Sequence, residues 1–188
     1  MSPATMFLLI VLAVIVVAGI AALMFFQKRR TERLRTRFGS PEYTRAIEES
    51  GSRKIAEAGL NARQERVEAL DIRPMSAVDH ARFTESWRKT QTRFVDSPGG
   101  AVTEADQLLS DVMATRGYPV SDFAQRAADI SVDHPSVMTN YRLAHDIALR
   151  QTQGTASTEE LRQAMIHYRT LFEELVGEPE AANLRTAS

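Results

Sequence analysis

Hydrophobic residues form one long run near the start of the chain and then recur at helical spacing further on. From Met6 to Phe26 the sequence reads MFLLIVLAVIVVAGIAALMFF, 21 residues without a charge. As a helix this run rises about 32 Å, close to the ~30 Å hydrocarbon thickness of a bilayer. It lacks the basic leader and the small-residue cleavage site of a secretory signal. The pattern predicts an uncleaved transmembrane anchor, with the lipid bilayer as the partner of Met6–Phe26.

The charges beside this run predict its orientation. Residues 27–38 carry six basic side chains and one acidic one, and no Lys or Arg precedes the run. Basic residues next to a span resist translocation and also attract anionic lipid headgroups. We expect a single-pass protein of the inner (plasma) membrane, with the N-terminus outside and the helical part in the cytoplasm. The alternative places the helical part outside the cytoplasm.

Beyond residue 39 the chain alternates helix-forming runs with glycine and proline breaks. Gly39 is expected to end the first helix, Pro41 to start the next, and Gly51 to close it. Capping boxes at Ser76 and Ser157 open two later helices. The predicted helices are Pro41–Ser50, Arg53–Leu70, Ser76 to Val95, a helix through Ala101 that can start at Pro98 and ends at Gly117, Ser121–Ile130, Pro135 to Gly154, and Ser157 to Gly177.

Three of these helices carry apolar stripes that predict a common core. The stripes are Val78, Phe83, Trp87 and Phe94; Ala101, Ala105, Leu108, Leu109, Val112 and Met113; and Leu161, Met165, Tyr168, Phe172 and Leu175. No run alternates as a strand does. The predicted fold class is all-α, a single N-terminal transmembrane helix followed by a compact antiparallel helical bundle. Its predicted divisions are the anchor (1–26), a basic juxtamembrane neck (27–39), the helical bundle (40–177) and a disordered tail (178–188).

Composition removes several classes of chemistry. The chain has no cysteine, so thiolate metal sites, disulfides and cysteine nucleophiles are excluded. Residues 39–188 carry a net charge of −6, which disfavours nucleic acid as a partner. Gly99-Gly100 lacks the Lys-Ser/Thr of a phosphate loop, and no nucleophile-elbow or His-Glu-x-x-His motif occurs. The sequence therefore assigns no catalytic residue, no cofactor and no metal ligand.

Histidines offer the one alternative to this assignment. His80, His134 and His145 each adjoin an aspartate, but neighbours on a helix point about 100° apart, whereas helical chelates use residues three or four apart. A site assembled from different helices stays open. For His145, which follows Tyr141 by one turn, we expect a buried imidazole bonded to a carboxylate. His167, at the edge of the last stripe, is expected to be structural or exposed.

The aromatic stripe of the third helix has two interpretations. Large aromatic residues are favoured at protein interfaces, so Phe83, Trp87 and Phe94 could form an exposed docking patch. Such a stripe is more often simply core. The core interpretation is the one we adopt from sequence.

Several segments together resemble a known group of proteins. They are RFGSPEY (37–43), LDIRP (70–74), RFVDSP (93–98), RGYP (116–119), SVDHP (131–135) and STEELRQAMIHYRTLFEEL (157–175). The chain resembles a family of uncharacterised bacterial proteins of high-GC lineages such as actinomycetes, often labelled hypothetical, membrane or secreted protein. The resemblance covers nearly the whole chain, the anchor and arginine run included, and implies no activity.

These features together favour an interaction protein. We expect a membrane-anchored, non-enzymatic scaffold whose helical domain binds a protein partner or itself. The alternative is a ligand- or metal-binding sensor, or an unrecognised enzyme, built on His80, His134, His145 and acids that converge in three dimensions.

The predicted orientation can be tested with C-terminal reporter fusions. A reporter that is active only in the cytoplasm should give a strong signal, and one that is active only after export should give little. The physical reason is the arginine cluster after the apolar run, which holds the following segment on the cytoplasmic side. A strong export-dependent signal would show that the topology is wrong.

Overall fold

The computed structural model describes residues 3–119 and 121–177, with side chains from residue 15 onward except 23 and 27. Its described residues form helices without strands. The helices are α1 (Pro3–Ser50), α2 (Arg53–Glu68), α3 (Ala77–Arg93), α4 (Pro98–Arg116), α5 (Phe123–Asp133), α6 (Met138–Thr152) and α7 (Thr158–Val176), with a 3₁₀ turn at Pro135–Val137. The all-helical prediction is confirmed for this part of the chain.

The first helix is kinked at the glycine that the sequence singled out. Gly39 has φ 69° and ψ 162°, a non-helical conformation inside the otherwise continuous α1. Pro41 follows two residues later and has no N–H to donate to the preceding turn. Gly51, with φ 66°, lies just beyond the end of the helix. The predicted breaks at Gly39 and Gly51 are therefore present.

Packing divides the chain into two compact units, Met1–Ala58 and Gly59–Ser188. In the first unit the Glu57 carboxylate accepts hydrogen bonds from the hydroxyls of Thr31, at 2.7 Å, and Tyr43, at 2.8 Å. These bonds join α2 to both arms of α1, on either side of the kink. The buried apolar residues of this unit are Leu34, Phe38, Tyr43, Ala46 and Ala56.

The second unit is built on the predicted stripe of α4. α4 packs against α3, α6 and α7, and α6 packs against α7. All six stripe residues of α4 and all five of α7 are buried, as predicted. The largest fully buried side chains of this unit are Leu60, Val102, Leu109, Val112, Met113, Ile130, Met138, Tyr141, Tyr168, Leu171 and Leu175.

Polar caps fix where the helices of the second unit begin. The Ser76 hydroxyl accepts from the Asp79 backbone N–H at 3.0 Å, and Ser157 and Glu160 form the predicted capping box. α5 differs from its predicted bounds of Ser121–Ile130. It begins at Phe123, because Asp122 is the residue whose side chain accepts from the Gln125 backbone N–H.

Three smaller predictions are corrected. α5 continues to Asp133, three residues past its predicted end, and α2 stops at Glu68, two residues short of its predicted end. Val78 was placed on the inner stripe of α3, but it is 78% exposed. It lies in the first turn of α3, N-terminal to Phe83 and Trp87, which provide the buried contacts of that helix.

Two predictions fall partly or wholly outside the described residues. Of the predicted span Met6–Phe26, the side chains of 6–14 and 23 are not described, and the tail 178–188 lies outside the described residues altogether. Within the described part of the chain, no helix combines the length and the apolar character that crossing a membrane requires.

A pair of glycine substitutions tests the packing at the end of α4. Gly117 has φ 99°, and a Cβ there would lie 2.3 Å from the Asp71 carbonyl oxygen. Gly154 has φ 69° and no heavy atom within 4 Å of such a Cβ. We expect Gly154→Ala to lower the free energy of unfolding by about 1–2 kcal/mol, the cost of the left-handed conformation.

Gly117→Ala should cost at least about 1 kcal/mol more, since the backbone must also move away from Asp71. Denaturant unfolding, followed through the fluorescence of the single tryptophan, Trp87, measures both variants. Equal losses of stability would contradict the close approach of Asp71 to Gly117.

Candidate functional site

A groove between α3 and α7 is a concave surface of the second unit. Its deeper part has a volume of about 350 Å³, and a shallower part of about 190 Å³ shares Gln91 and Arg169 with it. The groove is lined by His80, Thr84, Trp87, Gln91 and Phe94 of α3 and its C-cap, and by Arg162, Met165, Ile166, Arg169, Phe172, Glu173, Val176 and Gly177 of α7 and its C-cap.

The floor of the groove is aromatic and rigid. The rings of Trp87 and Phe172 stack with their centroids 4.8 Å apart and their planes inclined by 16°. Both side chains are buried, as is Phe83, so the core interpretation of this stripe is confirmed for Phe83 and Trp87. Phe94 is only partly buried and lines the shallow part. The aromatic residues are therefore core residues of which two, Trp87 and Phe94, also reach the groove.

The rim of the groove carries paired charges. Arg169 Nε lies 2.7 Å from Glu173 Oε1, and Arg162 Nη2 lies 2.7 Å from Glu159 Oε1. Hydrogen bonds from Arg162 and Gln163 lower the pKa of Glu159 to about 2, so this carboxylate stays ionised at any physiological pH. Each of these arginines is therefore paired with a carboxylate, and the groove combines paired charges with apolar side chains.

A partly buried polar cluster lies where α4, α5, α6 and α7 meet. The Tyr168 hydroxyl donates to Asp106 Oδ1 at 2.9 Å, and His145 Nδ1 lies 3.9 Å from the same oxygen, an ion-pair distance. The His145 ring stacks on Phe123, with centroids 3.5 Å apart and planes inclined by 3°. Arg126 donates to the Ser110 hydroxyl. The cluster therefore links polar side chains from four helices.

The electrostatics of this cluster favour an ionised carboxylate. Burial raises the pKa of Asp106, but the contacts with His145 and Tyr168 and the charge of Arg126 outweigh it, so the pKa lies below its ordinary value. Burial and the Asp106 charge raise the pKa of Tyr168, which keeps that hydroxyl a donor. Burial likewise raises the pKa of Tyr141. The arrangement suits a fixed salt link between helices.

Some atoms of the cluster lack a hydrogen-bond partner among the described residues. They are Arg126 Nε, the Tyr141 hydroxyl and His145 Nδ1, all buried. The expected pairing of His145 with a carboxylate is thus present as a contact with Asp106, without a direct hydrogen bond. Sequence reasoning missed Asp106, Arg126 and Tyr168 as polar partners. For Asp106 the sequence did contain one indication of a polar contact: it is an acidic residue next to Ala105, within the apolar stripe of α4.

A second polar set joins the ends of α4, α5 and α7. His134 Nδ1 lies 3.0 Å from Glu174 Oε1, and its Nε2 lies 3.3 Å from Arg116 Nη1. These partners assign the proton to Nδ1, which donates to the carboxylate. Arg116 also donates to the Leu175 carbonyl at 3.1 Å, which caps the last turn of α7. His134 is therefore engaged in holding helix ends together.

A third polar contact holds α2 to α5. The Asp129 side chain is 2% exposed, and its Oδ1 accepts from Arg66 at 2.7 Å and from Gln125 at 2.8 Å. Asp129 Oδ2 is buried without a partner among the described residues. Because an unpaired buried charge is costly, the buried Asp129 carboxylate depends on Arg66 as its cationic partner.

The four histidines take separate positions. His80 lines the α3–α7 groove, His134 contacts Glu174, His145 contacts Asp106, and His167 Nδ1 lies 3.1 Å from Asn140 Oδ1. The described residues contain no group of three His, Asp or Glu side chains arranged to hold a metal ion. The convergence that the sensor or enzyme alternative requires is not found in this part of the chain.

No protein-family model, curated protein or solved structure matches this chain at a significant level. The resemblance to a bacterial family therefore stays a prediction.

An acid-side stability measurement tests the role of the Asp106 carboxylate. The pKa of Asp106 is lower in the folded chain than in the unfolded chain. Its ionised form therefore stabilises the fold fully above an unfolded pKa of about 4, and this contribution is lost as the pH falls through the folded value. We expect Asp106→Asn to lower the free energy of unfolding by about 1–3 kcal/mol at neutral pH and to flatten its decrease below about pH 4.

Asp146→Asn, on the exposed side of α6, is the matched control and should leave both the neutral-pH stability and the acid-side slope nearly unchanged. Denaturant unfolding at a series of pH values between about 7 and 3 measures the three proteins. Parallel curves for the wild type and the Asp106 variant would exclude this role.

Proposed function

We propose that this chain is a membrane-anchored, non-enzymatic interaction protein, with Met6–Phe26 in the bilayer and the helical bundle binding a protein partner. The observation that carries the proposal is the exposure of apolar side chains on α1. The support for the partner site comes from the α3–α7 groove. The resemblance to bacterial proteins labelled as membrane proteins agrees with the proposal.

The apolar side chains of α1 are exposed to an unusual degree. Seven large ones between Ile15 and Phe26 are 52% to 69% exposed, and no described part of the chain covers them. Large contiguous apolar surface in water is unfavourable and marks contact with lipid or with another protein. A helix that is apolar on all sides is typical of a membrane span. A lipid environment provides apolar contacts for every face of such a helix at once.

The basic residues after α1's apolar part support one orientation. Lys28, Arg29, Arg30, Arg33 and Arg35 are all exposed and follow Phe26 within nine residues. Because basic side chains next to a span stay on the cytoplasmic side, the bundle is proposed to lie in the cytoplasm at the plasma membrane. The anchor would raise the local concentration of the bundle near partners at the same membrane.

The α3–α7 groove is the proposed contact surface of the bundle. From His80 to Phe94 the groove follows α3 for about 21 Å, the length of a four-turn helix. Its apolar floor and paired rim charges have the composition of a helix-binding groove, in which apolar anchors provide affinity and polar edges provide register. The proposed occupant is an amphipathic helix of a partner protein.

A substitution on the groove tests this function. Ile166 lines the groove and is 44% exposed, so Ile166→Glu should fold normally and place a charge where an apolar anchor would bind. Membranes from cells that express the full chain would be washed at alkaline pH, crosslinked and used for affinity capture. We expect a reproducible partner with the wild type and at least about a tenfold loss of it with Ile166→Glu, the cost of burying a charge at an interface.

Leu143→Glu is the matched control, because Leu143 is also 44% exposed but lies on α6, away from the groove. It should retain the partner. Extraction of the wild type by the alkaline wash would contradict the anchor. Retention of the protein with equal capture by both variants would contradict the groove as the contact surface.

A further inference from the structure

One face of α1 combines an aromatic ring with a row of arginines. Phe25, Arg29, Arg33 and Arg37 follow one another at four-residue spacing, which puts them on a single face of the helix. The opposite face carries Leu34 and Phe38, which are buried in the first unit. Arg29 and Arg33 are both exposed, on the side of α1 away from these two buried residues. We call these four residues the outer basic face.

The outer basic face is continuous with the apolar part of α1. The Arg29 guanidinium carbon lies 4.4 Å from the centroid of the Phe25 ring, a cation–π distance. Further along, Arg29, Glu32, Arg33, Thr36 and Arg37 line a shallow depression of about 530 Å³. Three guanidinium groups against one carboxylate give this depression a net positive charge.

The axial positions of these residues match the layers of a bilayer leaflet. At 1.5 Å per residue, Arg29 lies about 5 Å beyond Phe26 and Arg33 about 10 Å beyond it. The headgroup layer of a leaflet is roughly 5–8 Å thick. With Phe26 at the hydrocarbon boundary, Arg29 lies at the level of the phosphates and the long side chain of Arg33 reaches back to them. Arg37, about 16 Å beyond Phe26, is too far for a direct contact.

We propose that the outer basic face binds the phosphate groups of anionic phospholipids through Arg29 and Arg33. The inference rests on the proposed membrane anchor. Guanidinium groups bind phosphate oxygens through paired N–H donors, and the exposure of both side chains leaves these donors accessible. The partner is a lipid surface of net negative charge. Its binding depends on the helix face that carries the arginines as well as on the number of arginines.

The test uses the full chain reconstituted in two kinds of vesicle, phosphatidylcholine alone and phosphatidylcholine with phosphatidylglycerol. Spin-labelled phosphatidylglycerol and spin-labelled phosphatidylcholine, added separately, report by their restricted spectra how strongly each lipid associates with the protein. We expect the wild type to prefer phosphatidylglycerol and the preference to weaken as salt is added. In the double variant Arg29→Gln/Arg33→Gln the preference should fall at least about fivefold, the factor that one basic contact with an anionic surface supplies.

The matched control is Lys28→Gln/Arg35→Gln, which removes the same charge from the side of the helix away from Arg29 and Arg33. It should keep most of the preference. An equal loss in the two double variants would overturn the proposal, because it would show a response to net charge alone. No preference in the wild type would also overturn it.

Flotation of the wild type with the vesicles separates this inference from the proposed function. A chain that floats with neither kind of vesicle lacks the anchor, and both proposals then fail. A chain that floats with both kinds but associates equally with the two lipids retains the anchor and loses only the outer basic face as a lipid site.

Discussion

A partly buried carboxylate at the edge of a helical core needs polar partners, and in this protein that requirement relates four helices to one another. Asp106 on α4 receives the Tyr168 hydroxyl from α7 and faces His145 of α6 and Arg126 of α5. Apolar contacts between the same helices tolerate sliding, because one methyl group can replace another at similar cost. A partly buried ionised group tolerates less, since each partner that moves away leaves the charge less compensated. The cluster thus selects one register among the helix packings that hydrophobic burial alone would allow.

The α3–α7 groove follows from the same arrangement. α3 and α7 both pack on α4, and the contact between them is slight except at the Trp87–Phe172 stack. Core residues of α3 and α7 form the floor of the groove, so no loop or insertion is needed to build it.

The sequence was sufficient for the fold class and for most helix ends, because these depend on local chemistry. Gly39, Gly51 and the Ser157–Glu160 capping box each act within a few residues, and each functions in the structure as its local pattern indicates. The stripes of α4 and α7 were equally readable from their periodicity. Val78 was misplaced because spacing alone does not tell where along a helix the neighbouring helix begins.

The polar contacts could not be derived in this way. Asp106 and Tyr168 are 62 residues apart, and Arg66 and Asp129 are 63 apart, so no local pattern links them. The groove was equally hidden, because the sequence presents Trp87 and Phe172 only as core residues on two separate helices. What the sequence did indicate was the chemistry of the first helix, whose apolar run and arginine cluster need no tertiary contact to be recognised.

The contact between Arg66 and Asp129 sets a limit on how far the chain can be shortened. A fragment that begins at α3 would contain α3 to α7, the helices of the bundle core. Judged by its helices alone, it would be taken for a complete domain. It would nevertheless lack Arg66, the only cation described as pairing with Asp129, together with Leu60 and Val67, two buried apolar side chains of α2. The shortest self-sufficient piece of this protein therefore has to start upstream of Leu60, so that it keeps both the ion pair and the buried side chains of α2.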